Sequence, residues 1–320
     1  MNRGEVLVRQ IPLLLSLAAL AALSACGGPK YVGVANHNGS GAMSREATSA
    51  VARPASETNS ASRAEKLIAL TFDDGPRPYV LFGDKARRPG PGLAEILDQN
   101  GVKATFFVVG WRLTPKTWGE PRHEDNIGMT CIEAAEQLIR RGHELEDHTY
   151  SHVELRTAEK KNGEPWVRED VDRGAQAIRA VTGSQPRYVR PPDWIITEDA
   201  RHDLEHEGYR VLTISPENPV ALRDVNSLDY LCAGKAVGCP KPSLVDAVLK
   251  QVEQRERKGT YTHILAFHEL STTAAAMPRL IAELKGRGYR FVTLTEYMKL
   301  VADRPAAMIK QQAAVTRPKL

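Results

Sequence analysis

Two adjacent aspartates, Asp73 and Asp74, stand in the run Thr71-Phe72-Asp73-Asp74-Gly75-Pro76. A carboxylate can ligate a metal ion or take a proton from a nucleophile. Further along come His148 and His152, then Arg190 in Arg190-Pro191-Pro192, then His268 after the apolar run Ile264-Leu265-Ala266-Phe267. Histidines at i and i+4 share one face of a helix and can bind one ion. Imidazole also moves protons near neutral pH. Together these types could hold a metal ion or move protons. Each piece alone has a plainer reading. Asp-Asp-Gly-Pro makes a turn, Arg190 suits a structural ion pair, and His268 suits a core position. His202 and His206 repeat the i, i+4 spacing among Asp203, Glu205 and Glu207, which reads as a solvated helix face.

What must position these residues is an alternation of strands and helices. Strand-like runs are Leu67–Phe72, Ala104–Val109, His143–Glu146, Arg187–Arg190, Tyr209–Ile214, Thr262–Phe267 and Tyr289–Leu294. Amphipathic helical stripes fall between them: Leu93, Ile96 and Leu97; Ile132, Ala135, Leu138 and Ile139; Val171, Ala175, Ile178 and Val181; Leu280, Ile281 and Leu284. Gly183 supplies a helix stop, and Ser243 with Asp246 opens another helix as a capping box. This alternation predicts an α/β fold with a parallel sheet or barrel. In such folds active residues stand where strands end. Asp73 and Asp74 follow the first strand, His148 and His152 the third, Arg190 the fourth, and His268 ends the sixth. All four sets are therefore expected on one rim.

Composition narrows the function classes. The net charge is +4 with no basic stripe, so nucleic acid is not an expected partner. Nothing in the pattern points to a protein partner. Apolar runs of membrane-spanning length are expected only at the N-terminus. There, residues 1–25 read as a signal segment, with Arg3 and Arg9 before the apolar stretch Ile11–Leu23. It ends Leu23-Ser24-Ala25-Cys26, which resembles a bacterial lipoprotein box with Cys26 as the lipidation site. Acyl chains on Cys26 would anchor the chain to a membrane, each buried CH₂ contributing ~0.8 kcal/mol. Residues 26–64 read as a flexible tether reaching roughly 35 Å, residues 65–303 as the folded domain, and residues 304–320 as a loose basic tail. The expected location is the periplasmic face of a membrane. The outer membrane is favoured if the cell is Gram-negative, because Gly27 rather than aspartate follows Cys26. Cys232 and Cys239 are candidates for a disulfide in that oxidising compartment; closing so short a loop contributes roughly 2.5 kcal/mol.

The motifs, taken in order, resemble the polysaccharide deacetylases of carbohydrate esterase family four. Thr71–Pro76 looks like the first motif and Lys103-Ala104-Thr105-Phe106-Phe107-Val108 like the second strand. Gly142-His143-Glu144 with His148-Thr149-Tyr150-Ser151-His152 looks like the metal motif. Arg190-Pro191-Pro192 looks like the third motif and Leu265-Ala266-Phe267-His268 like the last. The resemblance covers roughly residues 67–297. It implies an irregular (β/α) barrel of about seven parallel strands and hydrolysis of N-acetyl groups on an N-acetylglucosamine polysaccharide.

Carried over residue by residue, the resemblance makes Asp74, His148 and His152 the ligands of a divalent metal. Zinc is the default ion, and cobalt, nickel or manganese would also suit the set. Asp73 would be the base, His268 the acid, and Arg190 the residue that holds Asp73. The Tyr150 backbone N–H is expected at the oxyanion, and Pro192 and Trp194 at the sugar. Trp194 reads equally as a stacking surface or as a packed core ring. Two departures stand out. Asp193 and Trp194 occupy the place of an aromatic residue and a glycine, and no Asp-Trp fourth motif follows the fifth strand. Asp224 and Glu217 are candidates for the missing acid. Its absence motivates an alternative, a catalytically impaired carbohydrate-binding protein on the same scaffold. The insertions Arg77–Gly92, with Lys85, Arg87 and Arg88, and Arg112–Thr130 are expected to rim the cleft.

Overall fold

The structure is a computed structural model that describes residues 65–84, 90–114, 128–213, 225–232 and 243–301. Cys26, the signal segment, the tether, the tail, Cys239, Glu217, Asp224 and the basic trio Lys85, Arg87 and Arg88 lie outside the described residues. No helix among the described residues is long and apolar enough to cross a membrane.

Eight parallel strands are described: β1 Leu67–Gly75, β2 Thr105–Val108, β3 Glu144–Asp147, β4 Tyr188–Val189, β5 Arg210–Val211, β6 Val225–Asn226, β7 Thr262–His268 and β8 Arg290–Val292. The helices are α1 Pro78–Leu81, α2 Leu93–Gln99, α3 Cys131–Arg140, α4 Leu155–Asn162, α5 Glu164–Thr182, α6 Glu198–His206, α7 Leu244–Glu256, α8 Ser271–Gly286 and α9 Leu294–Val301. Seven strands form one path, β5-β4-β3-β2-β1-β7-β6, and β8 joins it only by pairing with β1. All seven expected strands are present, and the eighth, β6, is a two-residue addition. The sheet is curled, as the expected irregular barrel requires.

Central β1 shows how the chain sorts its faces. Strand side chains alternate with period two. Ile68, Leu70 and Phe72 pack outward among Leu93, Leu97, Leu138, Val248 and Leu280 of the surrounding helices. Leu67 and Ala69 face the other way, into a cluster with Phe107, Tyr188, Leu212, Ile264 and Tyr297. Each fully buried Leu or Phe contributes about 1.5–3 kcal/mol. Both faces are covered, so these strands are nearly continuous apolar runs. Thr71 and Asp73 share the parity of Leu67 and Ala69, which carries them up the inner face toward the strand ends.

The helix signals also appear in place. Gly183, at φ 75°, ends α5 after Thr182. Ser243 Oγ accepts the Asp246 N–H at the start of α7. His202 and His206 lie exposed on α6, as their charged neighbours indicate.

Candidate active site

The register of the sheet brings the expected residues together. Asp73 on β1 pairs with His268 on β7, across the C-terminal ends of adjacent parallel strands. Arg190, one residue past β4, is fully buried against them. Its Nη1 donates to Thr71 Oγ1 at 3.0 Å and lies 2.5 Å from Asp73 Oδ1. The guanidinium also stacks 3.9 Å from the Phe107 ring centroid and 4.5 Å from that of Trp194. Burial pulls the Arg190 pKa below its ordinary value, and the Asp73 charge opposes that pull. The pair is mutually dependent: neither charge could stay buried alone.

Asp74 leaves the inner face by a local twist. Its φ is 71°, and the β1–β2 register shifts between Phe72 and Gly75. Such irregularities re-aim a side chain at a strand end. Gly75 is required here, since a Cβ would sit 1.7 Å from Glu269 Oε1. Glu269 is itself fully buried and accepts the Arg77 N–H at 2.6 Å. Burial raises its pKa to about 8, with the Arg77 contact opposing.

His148 and His152 do not lie on a helix, which corrects the helical reading of their spacing. They flank a tight turn after β3 in which Thr149 and His152 have φ 66° and 58°. The turn is tied from within and from outside. His152 N–H donates to Thr149 Oγ1, and the Tyr150 N–H and Ser151 Oγ donate to Asp170 of α5. Gly174 lets α5 come this close, because a Cβ there would lie 2.4 Å from Asp147 Oδ1. The two rings meet edge-on at 4.9 Å. His152 Nε2 is 2.9 Å and His148 Nε2 3.5 Å from Asp74 Oδ1.

These three residues fit a divalent cation. One donor atom from each lies within 4.8 Å of the others. Asp74 Oδ1 is buried and accepts no protein hydrogen bond, although both imidazoles face it. His148 Nδ1 lies 2.7 Å from the Arg190 carbonyl, to which it donates. That contact fixes the tautomer and leaves the Nε2 lone pair directed at the site.

On the opposite wall, His268 has a partner that the sequence did not reveal. Asp229 is fully buried in a 3₁₀ turn, Asp229–Cys232. Its Oδ1 takes the His268 Nδ1–H at 2.7 Å, and its Oδ2 takes the His268 backbone N–H at 2.7 Å and the Thr273 hydroxyl at 2.5 Å. Burial lowers the His268 pKa, but the Asp229 bond and charge, with Asp73 and Asp74, lift it to about 9. Tyr230 sets its ring edge-on to His268 at 5.7 Å. Asp229-Tyr230 is thus the acid–aromatic pair whose absence stood out. Asp229 occupies the His268 Nδ1 side; Asp224 and Glu217, the candidates offered for that place, lie outside the described residues. The only sequence signal was an aspartate directly before an aromatic residue, with tyrosine in place of tryptophan.

Two expected substrate contacts are different in the structure. The Tyr150 N–H donates to the Asp170 carbonyl at 3.1 Å, so it is not available to an oxyanion. Its ring packs 3.9 Å from the Arg173 guanidinium. Trp194 is half-buried and covers Arg190, and Pro192 is buried at the start of the same short turn. Asp193 is exposed at φ 55° beside them, and its charge acts on His152. Cys232 is disulfide-bonded, while its expected partner Cys239 lies outside the described residues.

The chain is similar to known proteins over much of its length. A family model described as polysaccharide deacetylase matches residues 60–212, which ends before Asp229 and His268. The chain is 25% identical to a peptidoglycan-N-acetylglucosamine deacetylase of Bacillus cereus, over 73% of this chain and 89% of that protein. It is 27% identical to a chitin deacetylase of Colletotrichum lindemuthianum, over 72% of this chain and 78% of that one. The structure of the peptidoglycan deacetylase PdaC from Bacillus subtilis shares the fold, with a TM-score of 0.55 and 24% identity over 78% of this chain and 98% of that one. A CE4 family pseudoenzyme from Bacillus anthracis also shares it, at TM-score 0.52 and 20% identity over 73% of this chain and 66% of that one.

Proposed function

We propose that the chain is a member of the polysaccharide deacetylase family, which it resembles over residues 60–212 and along its relatives, and that it hydrolyses N-acetyl groups of an N-acetylglucosamine-containing polysaccharide, releasing acetate. The proposal rests on one arrangement: three converging metal donors beside an Arg190-held Asp73 that is in register with an Asp229-held His268.

The residues divide the work as follows. Asp74, His148 and His152 would hold the divalent ion, zinc by preference, which supplies Lewis-acid polarisation of the acetamide carbonyl and a more acidic water. Asp73 accepts a proton from the attacking water. Arg190 keeps that carboxylate ionised and oriented through a charge-assisted bond. As the C–N bond breaks, His268 delivers a proton from Nε2 to the departing amine, because an unprotonated amide nitrogen is a poor leaving group. Asp229 holds the Nδ1–H throughout and favours the imidazolium needed for that step. The new C–O bond takes the water oxygen, and the products are acetate and a free amino sugar. Trp194 serves this chemistry chiefly by covering Arg190 and sealing the buried ion pair.

The relatives named for peptidoglycan and chitin support a polymeric N-acetylated substrate. An exported exopolysaccharide such as poly-β-1,6-N-acetylglucosamine also suits a chain tethered to a membrane through Cys26, with the site facing the periplasm. The alternative of an impaired binding protein rested on a missing partner for His268, and Asp229 now fills that place. Acetate release from poly-β-1,6-N-acetylglucosamine, chitin oligomers and peptidoglycan, measured side by side, tests the proposal. Release from one polymer names the substrate class; sugar binding without release from any would favour the alternative.

A further inference from the structure

Asp193 is a carboxylate that the mechanism leaves unused. It stands in the short turn Pro192–Trp194, just after Arg190. That turn is bonded into the site. The Arg190 carbonyl accepts the His148 Nδ1–H at 2.7 Å, and the Trp194 ring covers the Arg190 guanidinium at 4.5 Å. Asp193 and Trp194 both take left-handed backbone, at φ 55° and 64°. The conformation is fixed from both sides. The Trp194 and Ile195 N–H groups donate to the carbonyls of Pro191 and Pro192, and Thr213 Oγ1 donates to the Trp194 carbonyl at 2.8 Å. The Asp193 side chain is nevertheless exposed, and it has no hydrogen-bond or ion-pair partner among the described residues. Its charge reaches His152, whose side chain opens to solvent beside Asp74. Nearby carboxylates are committed elsewhere: Asp73 to Arg190, Asp229 to His268 and Thr273, Asp170 to Ser151, and Glu269 to the Arg77 N–H.

We propose that Asp193 is a specificity residue that receives the ammonium group of an already deacetylated sugar beside the one being hydrolysed. This rests on the deacetylase reading above. Each turnover leaves a basic amine on a polymer that the cleft must still hold. The site itself repels the protonated amine. With a divalent ion on Asp74, His148 and His152, the ion, Arg190 and the His268 imidazolium outweigh Asp73, Asp74 and Asp229 by one positive charge. A fixed anion at the rim offsets that repulsion for a neighbouring sugar, since charges in solution act over a Debye length of about 8–10 Å. The turn is set before any sugar arrives, so little ordering is lost when the pair forms. Left-handed backbone alone does not call for aspartate, because glycine and asparagine adopt it as well. What aspartate adds is the charge. Polymer on which deacetylation has begun is therefore a better substrate than fully acetylated polymer.

The first readout needs no turnover. Calorimetry measures binding of a glucosamine tetramer, with every amine free, to the zinc-loaded full chain at about pH 6, below the usual α-amino range of about 7.7–8.0. Asp193→Asn, which suits the same backbone, is expected to weaken binding about three- to fivefold, the size of an exposed ion pair. Glu253→Gln, which removes an equal charge from the solvent face of α7, is expected to bind as the wild type does. Salt at about 1 M cuts the Debye length to about 3 Å and should remove the Asp193 contribution without any substitution. On turnover, kcat/KM for a tetramer holding one glucosamine is compared with that for the fully acetylated tetramer. The wild type should prefer the former about threefold, through KM, and Asp193→Asn should lose the preference. Equal binding of the glucosamine tetramer by wild type and Asp193→Asn overturns the inference, as does a preference that survives the substitution. So does loss of zinc from Asp193→Asn, which would make Asp193 part of the metal site instead. Acetate release with no Asp193-dependent preference defeats this inference alone. Asp193-dependent binding by a chain that releases no acetate from any polymer leaves the cation site standing and counts against the proposed function.

Discussion

Asp229 Oδ1 lies 2.7 Å from Nδ1 of His268, a contact between side chains 39 residues apart. It makes His268 more than a histidine at a strand end. Burial alone would keep this imidazole neutral, but the buried carboxylate lifts its pKa to about 9. At neutral pH the ring therefore carries the proton that a departing amine needs.

Replacing Asp229 with Asn removes that anion while keeping a similar shape. A general acid works in its protonated form, so activity falls as pH rises through its pKa. In the wild type this alkaline limb is expected near pH 9. In Asp229→Asn it moves down toward the ordinary imidazole value of about 6.5, and kcat at pH 8 drops at least ~10-fold. A pH–rate profile of both proteins checks this; an unmoved limb would remove His268 from the role of acid.

Arg190 and Asp73 form a pair in which each charge depends on the other. Arg190→Met leaves Asp73 buried without a counter-charge, and breaking such a pair costs about 3–5 kcal/mol. Arg190→Lys keeps the charge but loses the planar stack on Phe107 and Trp194. Denaturant unfolding should show a large loss for Met and a smaller one for Lys. Both variants should lose most of their turnover.

Gly174 lies inside α5, where alanine would ordinarily improve the helix by about 1 kcal/mol. Here a Cβ meets Asp147 Oδ1 at 2.4 Å and the Thr149 carbonyl carbon at 3.0 Å. The overpacking, typically 1–3 kcal/mol, outweighs the propensity gain. Gly174→Ala should therefore lower stability and push the His148–His152 turn off its geometry. Weakened zinc binding in a competition titration would register that displacement; wild-type affinity with raised stability would show that the helix stands further off.

Removal of metal tests the Asp74, His148 and His152 set directly. Chelation should abolish turnover and lower the thermal midpoint, and added zinc should restore both. At an ion concentration a thousandfold above Kd, binding stabilises the fold by about 4 kcal/mol. His148→Ala should lose the zinc-dependent part of that midpoint shift, whereas His202→Ala, on the exposed face of α6, should keep it.

Much of this was legible in the sequence, and the limits have physical causes. The strands around the site are buried on both faces, so their apolar runs stand out, and Asp73, Arg190 and His268 fall at their ends. β6 escaped because two residues show no period. The spacing of His148 and His152 suggested a helix, but left-handed Thr149 and His152 and the ties to Asp170 build a turn instead. Asp229 was hidden because its bonds span long sequence separations and leave no local pattern. The Tyr150 N–H was misassigned because a competing acceptor, the Asp170 carbonyl, arrives from a different helix.

The central claim is that Asp73, beside a metal held by Asp74, His148 and His152, drives N-acetyl hydrolysis. The most direct measurement is acetate release from a chitin oligomer by zinc-loaded wild type and by Asp73→Asn at matched metal content. The account predicts acetate from the wild type and at least a ~100-fold loss in Asp73→Asn with zinc still bound. Equal release by the two proteins would contradict it.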